Sequence, residues 1–179
     1  HSFPTRRSSD LSGMQVQRIQ YRLWQLWRAV TGRVSVAEAR FVANQLTVAE
    51  QPLFARLPRY DQRHALDVVQ LLRHEGTTTP ALIGMALLHD IGKVSDTGRP
   101  LGLAWYGVIV LTQRLLPAVY TWLLARYEPV QRHAQHEQRS VTMARVAGAR
   151  VDVCMLLQDV ADGVDSPLVR LFAEADDRC

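Results

Sequence analysis

The sequence predicts an all-α protein of about six to eight helices. Apolar residues recur along most of the chain at the three- and four-residue spacing of an amphipathic helix. Many of these segments begin at a capping residue or a proline, and several end at glycine. Because no stretch shows the alternation of apolar and polar residues that is typical of a half-buried strand, we expect a fold without a β-sheet.

The composition is that of an ordinary globular protein. The chain has 179 residues, of which 47% are apolar and 21% charged, and this length suits one domain with a sizeable core. Its formal charge of +4 comes mostly from arginines spread along the helices, so there is no strong nucleic-acid signal. The two cysteines provide neither a disulfide framework nor a zinc-binding spacing, and we therefore expect a cytoplasmic location.

The two ends of the chain differ from the rest. Residues 1–13 read either as translated sequencing-adapter sequence or as a disordered natural tail, and in the first case Met14 is the natural start. The chain stops at Cys179 inside a predicted helix, so we expect the natural protein to continue. We assign residues 14–58 to an N-terminal helical extension and residues 59–179 to the main domain.

The first predicted helix covers residues 14–30 and combines an apolar face with several arginines. With Tyr21, Trp24 and Trp27 it resembles a helix that lies on an anionic membrane surface. An amphipathic helix packed on the domain is the commoner structure. A peripheral membrane contact through this helix therefore stays open beside simple packing.

Local signals mark the helices that follow. Ser35 with Glu38, and Thr47 with Glu50, each have the capping-box spacing that opens a helix. Apolar spacing, prolines and glycines further along predict helices over residues 61–75, 80–91, 103–126, 138–147, 151–160 and 167–179.

Residues 103–125 form the most apolar segment and therefore need a separate interpretation. A membrane-spanning helix needs roughly 20 nearly unbroken apolar residues. Thr112, Gln113 and Arg114 interrupt this run, and Pro117 kinks it. We favour a buried or partly buried helical hairpin over a membrane span.

The stretch ALLHDIGK places strong polar groups directly after an apolar run. A buried carboxylate or imidazole costs several kcal/mol unless a metal ion or a charged partner satisfies it, and this applies to His89 and Asp90. Lys93 follows Asp90 by three positions and His89 by four, so its ammonium lies over the same patch. This stretch is the first candidate site.

His64 is expected to meet His89 across a helical hairpin. It lies about 13 residues before the centre of the connection and His89 about 11 after it, which puts them roughly 20 and 17 Å from the turn at ~1.5 Å per residue. Asp90 reaches the same point only if a ligand lies between the side chains, and a metal ion meets this requirement.

The stretches RHALDVVQLL, PALIGMALLHDIGK and LFAEADD resemble the HD-domain superfamily of metal-dependent phosphohydrolases. The signature of that family is a histidine, a histidine–aspartate doublet and a distant aspartate. The matching residues here are His64, His89, Asp90 and Asp176. The resemblance implies that residues 59–179 form an HD-domain-like helical bundle whose central antiparallel helix pair carries the metal site.

The resemblance also implies the activity, which is hydrolysis of a phosphate mono- or diester, often of a nucleotide. Two imidazoles and two carboxylates suit one divalent ion such as manganese, iron, nickel, cobalt or magnesium. An ion of this kind activates water and draws charge from a phosphoryl oxygen. Lys93 is then expected to act as a catalytic group that holds a non-bridging oxygen.

Departures from the family pattern limit the inference. His136, with the small Ser140 four positions on, fits a further family histidine, and we assign it a catalytic role toward the substrate phosphate or the leaving group. The run VCMLLQDVADG carries Gln158 and Asp159 where that family tends to have more histidines, so we predict a single metal. Asp159 could still act as a ligand, and a second metal at His136 and Asp159 therefore stays open. His133, among polar residues, is expected to be solvated.

Two functional hypotheses remain. One is the phosphohydrolase, and the other is a catalytically silent HD module that binds a nucleotide or a partner protein, motivated by the missing histidine near Gln158. Taken singly, each candidate residue also fits an ordinary structural role. The complete set of His64, His89, Asp90 and Lys93 favours the enzyme, because a silent module need not keep it.

Overall fold

The computed structural model describes residues 32–76 and 78–179, and the predicted first helix over residues 14–30 lies outside them. The described ranges contain ten α-helices and no strand, so the all-α prediction is confirmed. The helices are α1 (Val36–Gln45), α2 (Gln51–Ala55), α3 (Arg59–His74), α4 (Pro80–Leu88), α5 (Leu103–Leu115), α6 (Pro117–Arg126), α7 (Glu128–Ala134), α8 (His136–Val146), α9 (Val151–Ala161) and α10 (Pro167–Arg178). A short 3-10 helix, Ile91–Lys93, follows α4.

Several helices begin at the capping residues that the sequence indicates. Ser35 and Glu38 form a full capping box, in which the Glu38 N–H donates to Ser35 Oγ at 3.2 Å and the Ser35 N–H donates to Glu38 Oε2 at 2.9 Å. The hydroxyls of Thr79 and Ser166 cap α4 and α10, each of which has proline in its first turn.

The described residues contain ten α-helices, whereas periodicity predicts about six to eight. Pro117 ends α5 and begins α6, because a proline inside a helix removes a hydrogen bond and clashes with the preceding turn. Pro129 lies in the first turn of the additional short helix α7. The pair Thr47 and Glu50 does not open a helix at Thr47, and α2 begins only after Glu50.

Helix α4 lies inside the main core. Seven of its nine residues are buried, as expected for a helix that is apolar all round. It packs against α1, α2, α3, α9 and α10. Because α4 is anchored on several sides, the polar residues that follow it are held in a fixed place.

The described part of the predicted extension, residues 32–58, shares this core. Val42, Leu46 and Phe54 belong to the same buried cluster as the α4 residues. The fully buried Glu50 carboxylate accepts the Arg150 backbone N–H at 2.9 Å and the Arg150 Nε–H at 3.1 Å. Burial raises the pKa of Glu50, but the hydrogen bonds from Thr47 and Arg150 outweigh it and lower this pKa below its usual value.

Helices α5, α6 and α7 surround a second, smaller cluster of buried residues. It consists of Leu101, Ile109, Leu123 and Val130. Among the helices that the structure describes, none combines the length and the apolar character needed to cross a bilayer. The apolar segment over residues 103–125 is instead a pair of packed helices joined at Leu116.

Candidate metal centre

All six candidate side chains converge on one region between the helices. His64 projects from α3 and Asp176 from α10, both helices that pack together. His89, Asp90 and Lys93 follow α4, and His136 is the first residue of α8.

Three of the four predicted metal ligands lie close enough together to share one metal ion, and the fourth, Asp176, contacts the two imidazoles. One ligand atom each of His64, His89 and Asp90 lies within 4.8 Å of the other two. Asp176 Oδ1 lies 2.8 Å from His64 Nε2 and 3.4 Å from His89 Nε2. The fold therefore brings two imidazole nitrogens and two carboxylates together from three separate parts of the chain.

Backbone carbonyls orient two of the imidazoles. His89 Nδ1 lies 2.8 Å from the Ala86 carbonyl oxygen, and His136 Nδ1 lies 2.6 Å from that of His133. A carbonyl oxygen can only accept, so each Nδ1 carries a proton and donates it. Each Nε2 then faces the carboxylates, which is the arrangement that metal-binding histidines adopt.

The charges in this region favour ionised carboxylates. Burial raises the pKa values of Asp90 and Asp176, but the neighbouring imidazoles outweigh it, and both pKa values lie well below their usual range. Burial lowers the pKa of His89, yet the carboxylates of Asp90 and Asp176 raise it to about 9. The two carboxylates therefore carry negative charge that a cation would neutralise.

Asp90 provides the test of whether a metal ion fits. Its side chain is 1% exposed, and its Oδ2 accepts a hydrogen bond from Lys93 Nζ at 2.6 Å. Its Oδ1 is buried and accepts no hydrogen bond from the described residues, although His89 Nε2 lies at 3.4 Å and His136 Nε2 at 3.6 Å. An unsatisfied buried acceptor costs about 1–3 kcal/mol, and a charged one more. The donor set thus fits a divalent cation.

Lys93 is the single lysine in a chain with 21 lysine and arginine residues. Its side chain is only 13% exposed, and its ammonium lies 5.4 Å from the centre of the Tyr106 ring. Burial lowers the pKa of Lys93, but the Asp90 and Asp61 carboxylates raise it above the usual value. A compact ammonium fits this space, whereas arginine is used at every other basic position.

Asp61 and Tyr106 lie behind Lys93, and the sequence pattern did not point to either. Asp61 is 4% exposed, and the Tyr106 hydroxyl donates to its Oδ1 at 3.1 Å. Burial and the Asp90 carboxylate raise the pKa of Asp61 to about 6. Asp61 precedes His64 by three positions, which places both on one face of α3, and this spacing is the signal that could have identified it.

The expectation that His133 is solvated is wrong. The residue is half-buried. The centre of its ring lies 5.7 Å from the centre of the Tyr106 ring and 5.5 Å from the centre of the His136 ring. Burial and the Lys93 charge lower the pKa of His133 to about 4. His133 is therefore a neutral packing partner of the His136 ring.

Gly92 and Ser140 set the distance between α8 and the 3-10 helix. A Cβ atom on Gly92 would overlap the His136 carbonyl oxygen and lie 2.8 Å from the Ser140 nitrogen. The buried Ser140 hydroxyl donates to the His89 carbonyl at 2.6 Å and accepts the Gly92 N–H at 2.9 Å. The close approach explains why His136, which begins α8, lies beside Asp90.

A small cleft opens beside the ligands, between α8, α9 and α10. Helix α9 contributes the apolar Leu157 and Val160 to its wall. Gln158 stands where the family pattern favours a histidine. Its side-chain amide donates a hydrogen bond to the Asp162 carboxylate at 2.9 Å. The adjacent Asp159 is half-buried, and its backbone carbonyl accepts the Val164 N–H at 2.8 Å.

Comparison of the chain with family models, with curated proteins and with solved structures finds no match. The resemblance to the HD-domain superfamily therefore stays a prediction. The chemistry of the described residues has to support any functional assignment, and it does so most directly through the environment of Asp90.

Proposed function

We propose that this chain is a metal-dependent phosphohydrolase that cleaves a phosphate mono- or diester, with nucleotides as the substrate class. The observation that carries the proposal is the buried Asp90 Oδ1, which accepts no described hydrogen bond and faces two imidazole nitrogens. The HD-domain pattern in the sequence supplies the reaction class. We also propose an HD-domain-like bundle in which α3 and α4 are the central antiparallel pair.

The proposed ligands of one divalent ion are His64, His89, Asp90 and Asp176. Their mixed nitrogen and oxygen donors suit manganese, iron, nickel, cobalt or magnesium. When bound, an ion of this kind supplies Lewis acidity that activates water and polarises a phosphoryl oxygen. The chain itself orients the His89 imidazole through the Ala86 carbonyl, and the neighbouring positive charges keep both carboxylates ionised.

Lys93 and His136 are the proposed catalytic groups. The Lys93 ammonium stays protonated beside Asp90, so it offers a point charge to a non-bridging phosphoryl oxygen. The His133 carbonyl holds the Nδ1 proton of His136, which leaves Nε2 directed toward Asp90. This nitrogen can hydrogen-bond the phosphate or exchange a proton with the leaving group.

Metal analysis followed by a phosphate-release screen tests the proposal. We expect about one equivalent of divalent ion after reconstitution with manganese, iron, nickel, cobalt or magnesium, because the donor set provides four ligands. We expect at least one nucleotide to release phosphate only in the presence of that ion. Absence of bound metal would refute the assignment. Bound metal without phosphate release would favour the silent module that binds a nucleotide or a partner protein.

Replacing Lys93 with methionine separates substrate positioning from metal binding. We expect the variant to keep its metal and to release phosphate roughly 10- to 1,000-fold more slowly, because one charge-stabilising group is lost. Lys93→Arg serves as the matched control, which keeps the charge but not the compact shape. Unchanged turnover, or loss of the metal, would contradict the catalytic role.

Replacing His136 with alanine tests whether the centre holds one ion or two. We expect unchanged metal content and a fall in turnover of roughly 100-fold or more, as for loss of a general acid or base. His74→Ala is the control, since His74 is exposed at the end of α3. Loss of one of two metal equivalents would instead show that His136 is a ligand in a dinuclear centre.

A further inference from the structure

Exposed apolar residues concentrate on α5, on α6 and on the link between them. Among the residues that the structure describes, 14 large hydrophobic side chains are exposed, and eight of these fall between positions 108 and 127. A chance distribution along the described ranges would place far fewer there. We call the following six residues the hairpin face: Val108, Leu111, Leu115, Leu116, Val119 and Trp122.

Helix α5 has apolar side chains both in the smaller core and on its exposed surface. Val108, Leu111 and Leu115 follow one another at three- and four-residue spacing, so they form one stripe along the helix. Ile109, about 100° further round the helix than Val108, is buried in the smaller core. The smaller core therefore covers only part of α5, and the exposed stripe includes Leu115 at 66% exposure.

Within residues 97–127, between Asp96 and Glu128, the charged side chains all have one sign. Residues 97–127 contain Arg99, Arg114 and Arg126 but no aspartate or glutamate. The Arg126 guanidinium lies 5.0 Å from the centre of the Trp122 ring. Apolar side chains bordered by arginine, tryptophan and tyrosine are typical of surfaces that lie in the interface of an anionic membrane.

Charge also distinguishes the occupants that could cover this face. A second copy of the chain that docked through the same face would bring the same exposed Arg114 and Arg126 to the interface. The nearest carboxylate in sequence, Glu128, already lies 3.5 Å from Arg132. An anionic bilayer offers phosphate groups for the arginines and acyl chains for the apolar residues. The bilayer surface is thus the occupant that matches both properties.

We propose that the hairpin face docks on an anionic membrane surface. Its apolar side chains enter the boundary between the headgroups and the acyl chains, and Arg114 and Arg126 pair with lipid phosphates. The other side of α5 carries Tyr106, which donates to Asp61 behind the candidate metal centre. Docking therefore uses a helix that also borders that centre, although the proposal does not depend on the proposed activity.

Vesicle sedimentation with the full chain tests the proposal. The vesicles contain phosphatidylcholine and phosphatidylglycerol in a ratio of 3:1, or phosphatidylcholine alone. We expect the parent to bind the anionic vesicles. The triple variant Leu111→Ser, Leu115→Ser, Trp122→Ser should bind them at least about tenfold more weakly, because three exposed apolar groups are lost. The matched control is Val146→Ser, Val151→Ser, Met155→Ser, whose three sites are exposed on α8 and α9 and which should bind like the parent.

Further variants separate charge, folding and activity. Arg114→Gln with Arg126→Gln leaves the apolar residues in place and should weaken binding to the anionic vesicles. Asp90→Asn should bind vesicles like the parent, so a failure of the proposed enzyme activity does not affect the test. Circular dichroism checks that every variant is folded.

Four results would overturn the proposal. They are a parent that does not bind, a hairpin variant that binds as well as the parent, equal binding to neutral vesicles, and unchanged binding without Arg114 and Arg126. If residues 14–30 alone bound the membrane, the hairpin variant would bind as well as the parent. A parent dimer that the triple variant converts to a monomer in analytical ultracentrifugation, without vesicle binding, would identify a second copy as the occupant.

Discussion

Asp90→Asn is expected to abolish both metal retention and phosphate release. Asparagine keeps the shape of the side chain but removes the negative charge that the two imidazoles and Lys93 surround. We expect metal affinity to fall at least roughly 100-fold, since even residues that only support metal ligands cost 10- to 100-fold when replaced. Elemental analysis and the phosphate-release assay measure the two effects.

The same substitution has a structural cost, because Asp90 also pairs with Lys93. Both side chains are buried, and breaking a buried ion pair by removing one partner costs about 3–5 kcal/mol. The double variant Asp90→Asn, Lys93→Met removes both charges and serves as the control. We expect it to recover much of the free energy of unfolding in urea while it still fails to bind metal. A single variant that keeps one equivalent of metal and full activity would refute the assignment.

Gly92→Ala is expected to lower the free energy of unfolding by about 3 kcal/mol or more. The added methyl group would overlap the backbone carbonyl of His136, and a backbone atom cannot move aside as a flexible side chain can. Helix α8 must then shift away from the 3-10 helix, which also breaks the hydrogen bonds of Ser140. Urea denaturation followed by circular dichroism measures the loss.

Gly107→Ala is the matched control for this prediction. Gly107 lies inside α5, and a Cβ atom there would meet no described atom within 4 Å. Alanine is the better helix former by about 1 kcal/mol, so this variant should be as stable as the parent or more stable. If Gly92→Ala unfolds at the same urea concentration as Gly107→Ala, the close contact between α8 and the 3-10 helix is not essential.

Much of the secondary structure is local in origin and was therefore predictable. The Ser35 and Glu38 capping box, and the prolines at the start of α4 and α10, act within one helical turn, so a short stretch of sequence contains the whole signal. Periodicity predicts one helix over residues 103–126 and Pro117 predicts a kink in it, and the structure has two separate helices there. The residues of both α5 and α6 fit the helical spacing of apolar residues, and the break between the two helices depends on the ring of Pro117 alone.

The candidate site was predictable in part. His64 and His89 lie on neighbouring helices joined by a short connection, so counting residues from the turn was enough to bring them together. Asp176 lies 112 positions from His64, and only the resemblance to the HD-domain pattern connected the two. The structure places their side chains 2.8 Å apart, because α10 packs against α3.

By itself, the sequence determined the helical class, the helix starts and the group of polar residues around ALLHDIGK, because periodicity, caps and i to i+4 spacing are properties of neighbouring residues. Only the tertiary structure decided that Asp61, Tyr106 and His133 lie behind Lys93 and His136, and that one side of α5 has no cover in the described chain. These features depend on which helix faces pack together. Burial and close packing between segments that are distant in sequence determine which faces meet, and a local sequence pattern does not contain this information.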